Sequence, residues 1–227
     1  MFHLYENRRE AGRKLADALA EYAGQDDIII LALPRGGVPV AYEIAGILNA
    51  PLDVLLVRKL GVPGHEEFAM GAIAWGNVQI INRDTVQRLG ISKEAIQQVI
   101  DRENQELHRR NQLYRNGQPL PQVKGHRVIV VDDGLATGAT MKAAVSALRK
   151  MGANGIIVAV PVASSDSCRE LEKMADKVIC PHTPEPFYGV GQWYRDFSQT
   201  TDQEVENLLS HAKHTFMGLL KNGESKR

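Results

Sequence analysis

The residues best suited to chemistry lie together between positions 128 and 140. Four apolar residues, Val128-Ile129-Val130-Val131, run into Asp132-Asp133 and then Gly134-Leu135-Ala136-Thr137-Gly138-Ala139-Thr140. The apolar run reads as a buried strand and Met141–Met151 as a helix, so acids and loop sit at a strand's carboxyl end. Loop N–H groups, the Thr137 and Thr140 hydroxyls and the helix N-terminus can hold a phosphate without any lysine. Gly138 lets the backbone approach closely. The two carboxylates can accept hydrogen bonds from vicinal hydroxyls and attract Mg2+ through water. Adjacent aspartates are also a common turn signal, and Thr-Gly-x-Thr is common before helices. The joined string is the specific feature, and it describes an adaptor for a phosphorylated sugar.

Two other strand exits carry chemistry-bearing residues. Ile28–Leu33 breaks at Pro34-Arg35-Gly36-Gly37, where Arg35 and the amides of Gly36 and Gly37 can face an anion. An ordinary strand-to-helix turn has the same composition. Leu52–Val57 reads as a second strand ending in Arg58-Lys59, a charge pair that by default would be solvated.

The elements that must position these residues follow from the apolar pattern. Arg8–Tyr22 reads as a first helix and Val38–Leu48 as a second. Ala69–Ala74 and Val78–Asn82 flank Trp75-Gly76-Asn77 as a hairpin. Ser92 caps a helix to about Tyr114, with Ile91 and Ile96 as a hydrophobic staple; its many charges predict a mostly solvated surface. Ile156–Val160 and Val178–Cys180 are further strands around a helix at Ser167–Met174, and Asp202 caps a last helix to Lys213. Short, continuously apolar strands alternating with helices predict an α/β fold, a mostly parallel sheet with helices on both faces. The chain reads as a single domain over 1–227. Residues 61–125 form an inserted loop, hairpin and helix, and 181–200, rich in proline and aromatics, a hood. His65-Glu66-Glu67 is expected in a loop that could close over the site.

The 227 residues balance 27 basic against 27 acidic side chains, which removes the broad electrostatic footprint of a nucleic-acid or anionic-membrane binder. No apolar run approaches a membrane span, and the start, Met1-Phe2-His3, leads into no signal peptide. Cys168 and Cys180 read as free thiols, and a cytoplasmic location is expected. Walker, zinc-hydrolase and esterase motifs are absent. A receiver domain fits poorly, since its acid pair belongs on the first strand.

Val128–Thr140 resembles the 5-phosphoribosyl-1-pyrophosphate (PRPP) motif of the type I phosphoribosyltransferases, and the exits at Pro34–Gly37 and Arg58-Lys59 resemble that family's pyrophosphate-binding loops. The resemblance implies that Asp132 and Asp133 hold the ribose hydroxyls and, through water, Mg2+. Gly134–Thr140, with Ala136–Thr140 on the 5′-phosphate, and Arg35, Gly36 and Gly37 would complete PRPP binding. Arg58, Lys59, Asp132 and Asp133 are then the catalytic set. The implied reaction transfers the phosphoribosyl group to a nitrogenous acceptor with release of pyrophosphate; the alternative is a PRPP sensor without turnover, with the charged helix as effector surface. Enzymes of the family acting on hypoxanthine or guanine carry an acid where Ala136 stands, which argues against a 6-oxopurine. Phe187, Tyr188 and Trp193 are available to stack a flat acceptor, or simply pack the hood. Family members are commonly homodimers, and the same is expected here.

Overall fold

The computed structural model describes residues 3–224, so Met1 and Phe2 of the start discussed above lie outside it, as does the side chain of Glu67. Five parallel strands form the main sheet: β1 (Ile28–Ala32), β2 (Leu52–Val54), β6 (Arg127–Val131), β7 (Gly155–Ala159) and β8 (Lys177–Ile179), in the order β2-β1-β6-β7-β8. Strands β3 (Val57–Val62), β4 (His65–Ala74) and β5 (Val78–Ile81) make a separate antiparallel sheet. The helices are α1 (Arg8–Asp17), α2 (Gly37–Leu48), α3 (Arg83–Arg88), α4 (Lys93–Arg115), α5 (Ala139–Lys150), α6 (Ser165–Glu172) and α7 (Asp202–Glu224).

Period-two alternation divides each central strand between two cores. Ile28, Ile30, Ala32, Ile129, Val131, Ile157 and Ala159 join the core that includes Leu15 of α1 and Ile44 of α2. Ile29, Leu31, Val128, Val130, Ile156 and Val158 join the core with Val145 of α5 and Leu171 of α6. Both faces are covered, which is why the strands are apolar throughout instead of alternating. The expected α/β class is the one observed.

Several local expectations hold. Ser92 caps α4, its Oγ accepting from the Ala95 N–H at 3.1 Å, and the β4–β5 hairpin turns at Trp75–Asn77. Others change. The first helix stops at Asp17, and Ala20–Tyr22 is a 3-10 turn. The last helix is capped by Thr201, whose Oγ1 accepts from the Glu204 N–H at 3.1 Å, while Asp202 accepts from the Tyr114 hydroxyl. Leu52–Val57 is not one strand. β2 ends at Val54, and Leu55 and Leu56 stay buried while the chain passes to the other sheet, so apolar character continues where the strand does not.

Arg58-Lys59 therefore lie inside antiparallel β3, paired with Ile73 and Ala72 of β4, and not at a parallel strand's exit. His65-Glu66-Glu67, expected in a loop, begins β4. The predicted solvation of α4 is half right. Val99, Ile100, Glu103, Leu107, Asn111, Tyr114 and Arg115 form a buried stripe at helical spacing.

Candidate active site

Parallel pairing of β1 with β6, Ala32 opposite Val131, brings the loops after both strands out side by side. The Leu33 N–H donates to the Val131 carbonyl at 2.8 Å, extending the ladder by one residue. Gly36 and Gly37 then press against the acid pair. A Cβ on Gly37 would stand 2.6 Å from the Val131 carbonyl oxygen and 2.9 Å from the Asp132 Cα; one on Gly36 would overlap Asp133 Oδ2. These glycines are required by proximity. The Gly36 φ of −59° would suit any residue. The Pro34–Arg35 peptide bond is cis.

On its other side the motif loop is stitched to the exit of β7. The Leu135 N–H donates to the Val162 carbonyl at 3.0 Å, and the Ser164 N–H donates to the Leu135 carbonyl at 3.0 Å. The Ser164 and Ser167 hydroxyls both donate to the Ala136 carbonyl, at 2.9 and 2.7 Å. Gly138 takes the left-handed conformation, φ 65°, that starts α5. Thr137 and Thr140 are exposed beside the first amides of that helix. A phosphate-sized anion would meet N–H groups and hydroxyls there.

Asp132 and Asp133 sit between these two loops, largely withdrawn from water. Burial, and then the neighbouring Asp133 charge, push the Asp132 carboxyl well above the usual carboxylate range. Burial also raises Asp133, against the pull of Arg8. The Arg8 Nε donates to Asp133 Oδ2 at 2.8 Å, the two side chains being 11% and 14% exposed. The same guanidinium donates to the Ser198 carbonyl at 2.7 Å and lies 3.9 Å from the Phe197 ring centroid. The Asp133 N–H donates to Asp132 Oδ1 at 2.9 Å. One oxygen of each carboxylate is thereby engaged. The other oxygens accept no hydrogen bond among the described residues, so the pair keeps hard oxygen donors suited to hydroxyls or a hydrated Mg2+.

The basic residues form a second zone. A cleft of about 460 Å³ is lined by Pro34, Arg58, Lys59 and Thr140, together with Glu66 and three α4 side chains, Arg102, Glu103 and Arg110. The Arg58 Nε donates to Glu103 Oε2 at 2.7 Å. Arg35 turns toward α7, its NH1 3.6 Å from Asp202 Oδ1. In the 181–200 segment, Phe187 and Trp193 stack with centroids 6.3 Å apart and pack with Val190 against Tyr5, Val162 and Tyr194; Tyr188 is 84% exposed. The Tyr194 hydroxyl donates to the Asp133 carbonyl at 2.6 Å, tying this segment to the acid pair.

A family model for the phosphoribosyl transferase domain matches residues 3–194. The chain belongs to the phosphoribosyltransferase family. A Mycobacterium tuberculosis protein named as a candidate phosphoribosyl transferase is 44% identical over 213 residues, 94% of this chain and 48% of its own length. The chain thus spans about half the length of that curated relative. A hypoxanthine/guanine phosphoribosyltransferase of Methanocella paludicola is 37% identical over 162 residues, covering 71% of this chain and 65% of its own. The crystal structure of TT1426 from Thermus thermophilus superposes with a TM-score of 0.82 at 40% identity, over 92% of this chain and 98% of that one. No helix among the described residues is long and apolar enough to cross a membrane.

Within this phosphoribosyltransferase fold, reading by motif overlooked Arg8, Arg102, Glu103 and Arg110. Arg8 follows the helix cap Asn7, but nothing local separates it from Arg9 and Arg13, which pair with Glu43 at the surface. The signal for Glu103 is faint: an acid at the spacing of Val99 and Leu107, where a buried stripe would otherwise run.

Proposed function

We propose that this protein transfers the 5-phosphoribosyl group of PRPP to a nitrogenous acceptor, releasing pyrophosphate. The observation that carries the reading is the Asp132–Asp133 pair, flanked on one side by Gly36-Gly37 and followed on the other by a loop that opens into α5. A sugar phosphate fits these in order. Its 5′-phosphate meets the Ala136–Thr140 loop, its vicinal hydroxyls meet the carboxylates, and its diphosphate points toward Pro34, Arg58 and Lys59.

In the reaction, the bond from C1 to the diphosphate oxygen breaks as a nitrogen lone pair of the acceptor approaches C1 from the opposite face. Positive charge develops on the ribose ring and negative charge on the departing diphosphate, so electrostatic stabilisation belongs on the leaving group. Arg58 and Lys59 supply cations there, with the Gly36 and Gly37 amides on the other side; Arg35, paired with Asp202 of α7 in this structure, would turn from it to join them. Asp132 and Asp133 orient the sugar and do not attack it. Asp132 and Asp133 would hold Mg2+ through water, and the bound ion would offset diphosphate charge. Ala136 supplies no carboxylate to a purine ring, so a base other than a 6-oxopurine is the acceptor we favour, with Phe187, Tyr188 and Trp193 as the aromatic side chains offered for stacking it.

The test is calorimetric titration with PRPP and Mg2+, then pyrophosphate release with a panel of nucleobases and amines. Wild type should bind, and Asp132→Asn combined with Asp133→Asn should abolish binding while the fold survives. Unchanged PRPP affinity in that variant would remove the reading.

A further inference from the structure

We propose that α4 forms the far wall of the diphosphate subsite, with Arg102 and Arg110 binding the anion and Glu103 as the positioning residue that aims Arg58 and Arg102 into the cleft. The inference deepens the proposed transfer from PRPP and rests on it for the identity of the ligand. Its basis is the placement of α4. Val99, Ile100 and Leu107 bury one stripe of the helix in the core that also holds Leu60 of β3. Residues 103 and 110 lie two turns apart along that side, and Arg102 flanks them. All three side chains face the cleft shared with Arg58, Lys59 and Thr140.

The charges are arranged for an anion larger than a carboxylate. Glu103, 9% exposed at its side chain, accepts from Arg58 through Oε2 at 2.7 Å and from Arg102 through Oε1 at 3.1 Å. One buried carboxylate thus fixes two guanidinium groups side by side and leaves their other N–H donors for a ligand. Arg110 is held by Glu106, its Nε 2.6 Å from Oε1. Glu106 also binds Arg109, and these partners lower its pKa to about 2, so it keeps its charge at any working pH. Four cationic side chains and two carboxylates line the cleft, with Glu106 behind Arg110 as a third acid, so cationic N–H donors outnumber the carboxylates that face the ligand. Planar guanidinium forks set against a phosphate loop suit a diphosphate, whose adjacent phosphoryl groups each accept paired N–H donors.

Arg109 provides an internal control. It shares the Glu106 carboxylate with Arg110 and carries the same charge on the same helix, but it is 55% exposed and lies outside the cleft lining. Arg102→Gln, Arg110→Gln and Arg109→Gln would be titrated with inorganic pyrophosphate, PRPP and ribose 5-phosphate, each with Mg2+. Loss of one charge-assisted contact should weaken pyrophosphate and PRPP about tenfold in each of the first two variants. Ribose 5-phosphate, which lacks the diphosphate, should bind all variants as it binds wild type, and Arg109→Gln should match wild type throughout. The inference is overturned if wild type binds no pyrophosphate, if Arg109→Gln weakens it as much as the other two, or if ribose 5-phosphate suffers equally. PRPP binding that is independent of Arg102 and Arg110 would sink the α4 wall and leave the proposed transfer standing. Pyrophosphate binding that depends on both arginines, in a protein that ignores PRPP, would support the wall and sink the transfer.

Discussion

Replacing Arg8 by methionine should cost the fold far more at neutral pH than in acid. Arg8 and Asp133 are 11% and 14% exposed at their side chains and 2.8 Å apart, so the pair is a buried one. Breaking such a pair from one side leaves an uncompensated charge and costs about 3–5 kcal/mol. Methionine keeps an aliphatic stem but loses the guanidinium over the Phe197 ring and its bond to the Ser198 carbonyl. For a chain of this length the lower figure lowers Tm by about 6–12 °C.

The pH dependence follows from the direction of the Asp133 shift. Burial raises its pKa above the unfolded value, and Arg8 opposes that rise. Without Arg8 the folded pKa climbs further. The folded form then holds the proton more tightly than the unfolded chain, and stability falls as pH rises from the unfolded pKa, about 3.9, through the raised folded value. Below that window Asp133 is protonated in both states and only packing and the Ser198 contact are lost. Urea denaturation of wild type and Arg8→Met in acid and at neutral pH would read the difference. A loss that is the same at both ends would refute the argument, as would failure of Asp133→Asn to recover most of the neutral-pH loss in the Arg8→Met background.

Two other outcomes are expected at the acid pair. Asp132→Asn should be more stable than wild type at pH 7, because burial and Asp133 raise the Asp132 pKa and its ionisation costs the fold stability. That gain should fade as pH falls toward the unfolded carboxylate range, and denaturation curves at two pH values would check it. Gly36→Ala would drive a Cβ into Asp133 Oδ2 and to 2.7 Å from Cγ, on a carboxylate that Arg8 already pins. Overpacking of this kind costs about 1–3 kcal/mol. Gly46→Ala on the same helix α2, where a Cβ meets nothing within 4 Å, should be neutral or stabilising in the same thermal melt.

The sequence by itself determined the strands of the parallel sheet and the acid-pair loop that we propose for the sugar phosphate, because both are local. A strand covered on both faces must be apolar at every position, and Ile28–Ala32 and Val128–Val131 are. A loop that opens a helix next to two acids is written in consecutive residues. Helix caps at Ser92 and the Trp75–Asn77 turn are local for the same reason. The aromatic content of residues 181–200 was legible as composition, but its internal stacking and the link from Tyr194 to Asp133 were not.

Only the tertiary structure decided how charges are paired across the chain. Arg8 meets Asp133 across 125 positions, and Arg58 meets Glu103 across 45. No periodicity marks such partners, since each charge alone looks like a solvated surface residue. Leu52–Val57 reads as one strand because burial, which sequence reveals, continues through Leu55 and Leu56 after the hydrogen-bonded ladder of the parallel sheet has ended. The stripe of α4 was obscured by Glu103 and Arg115, charges that are buried only because partners from other elements satisfy them. Apolar pattern reports what leaves water, whereas the identity of the neighbour that makes a buried charge tolerable is set by the fold.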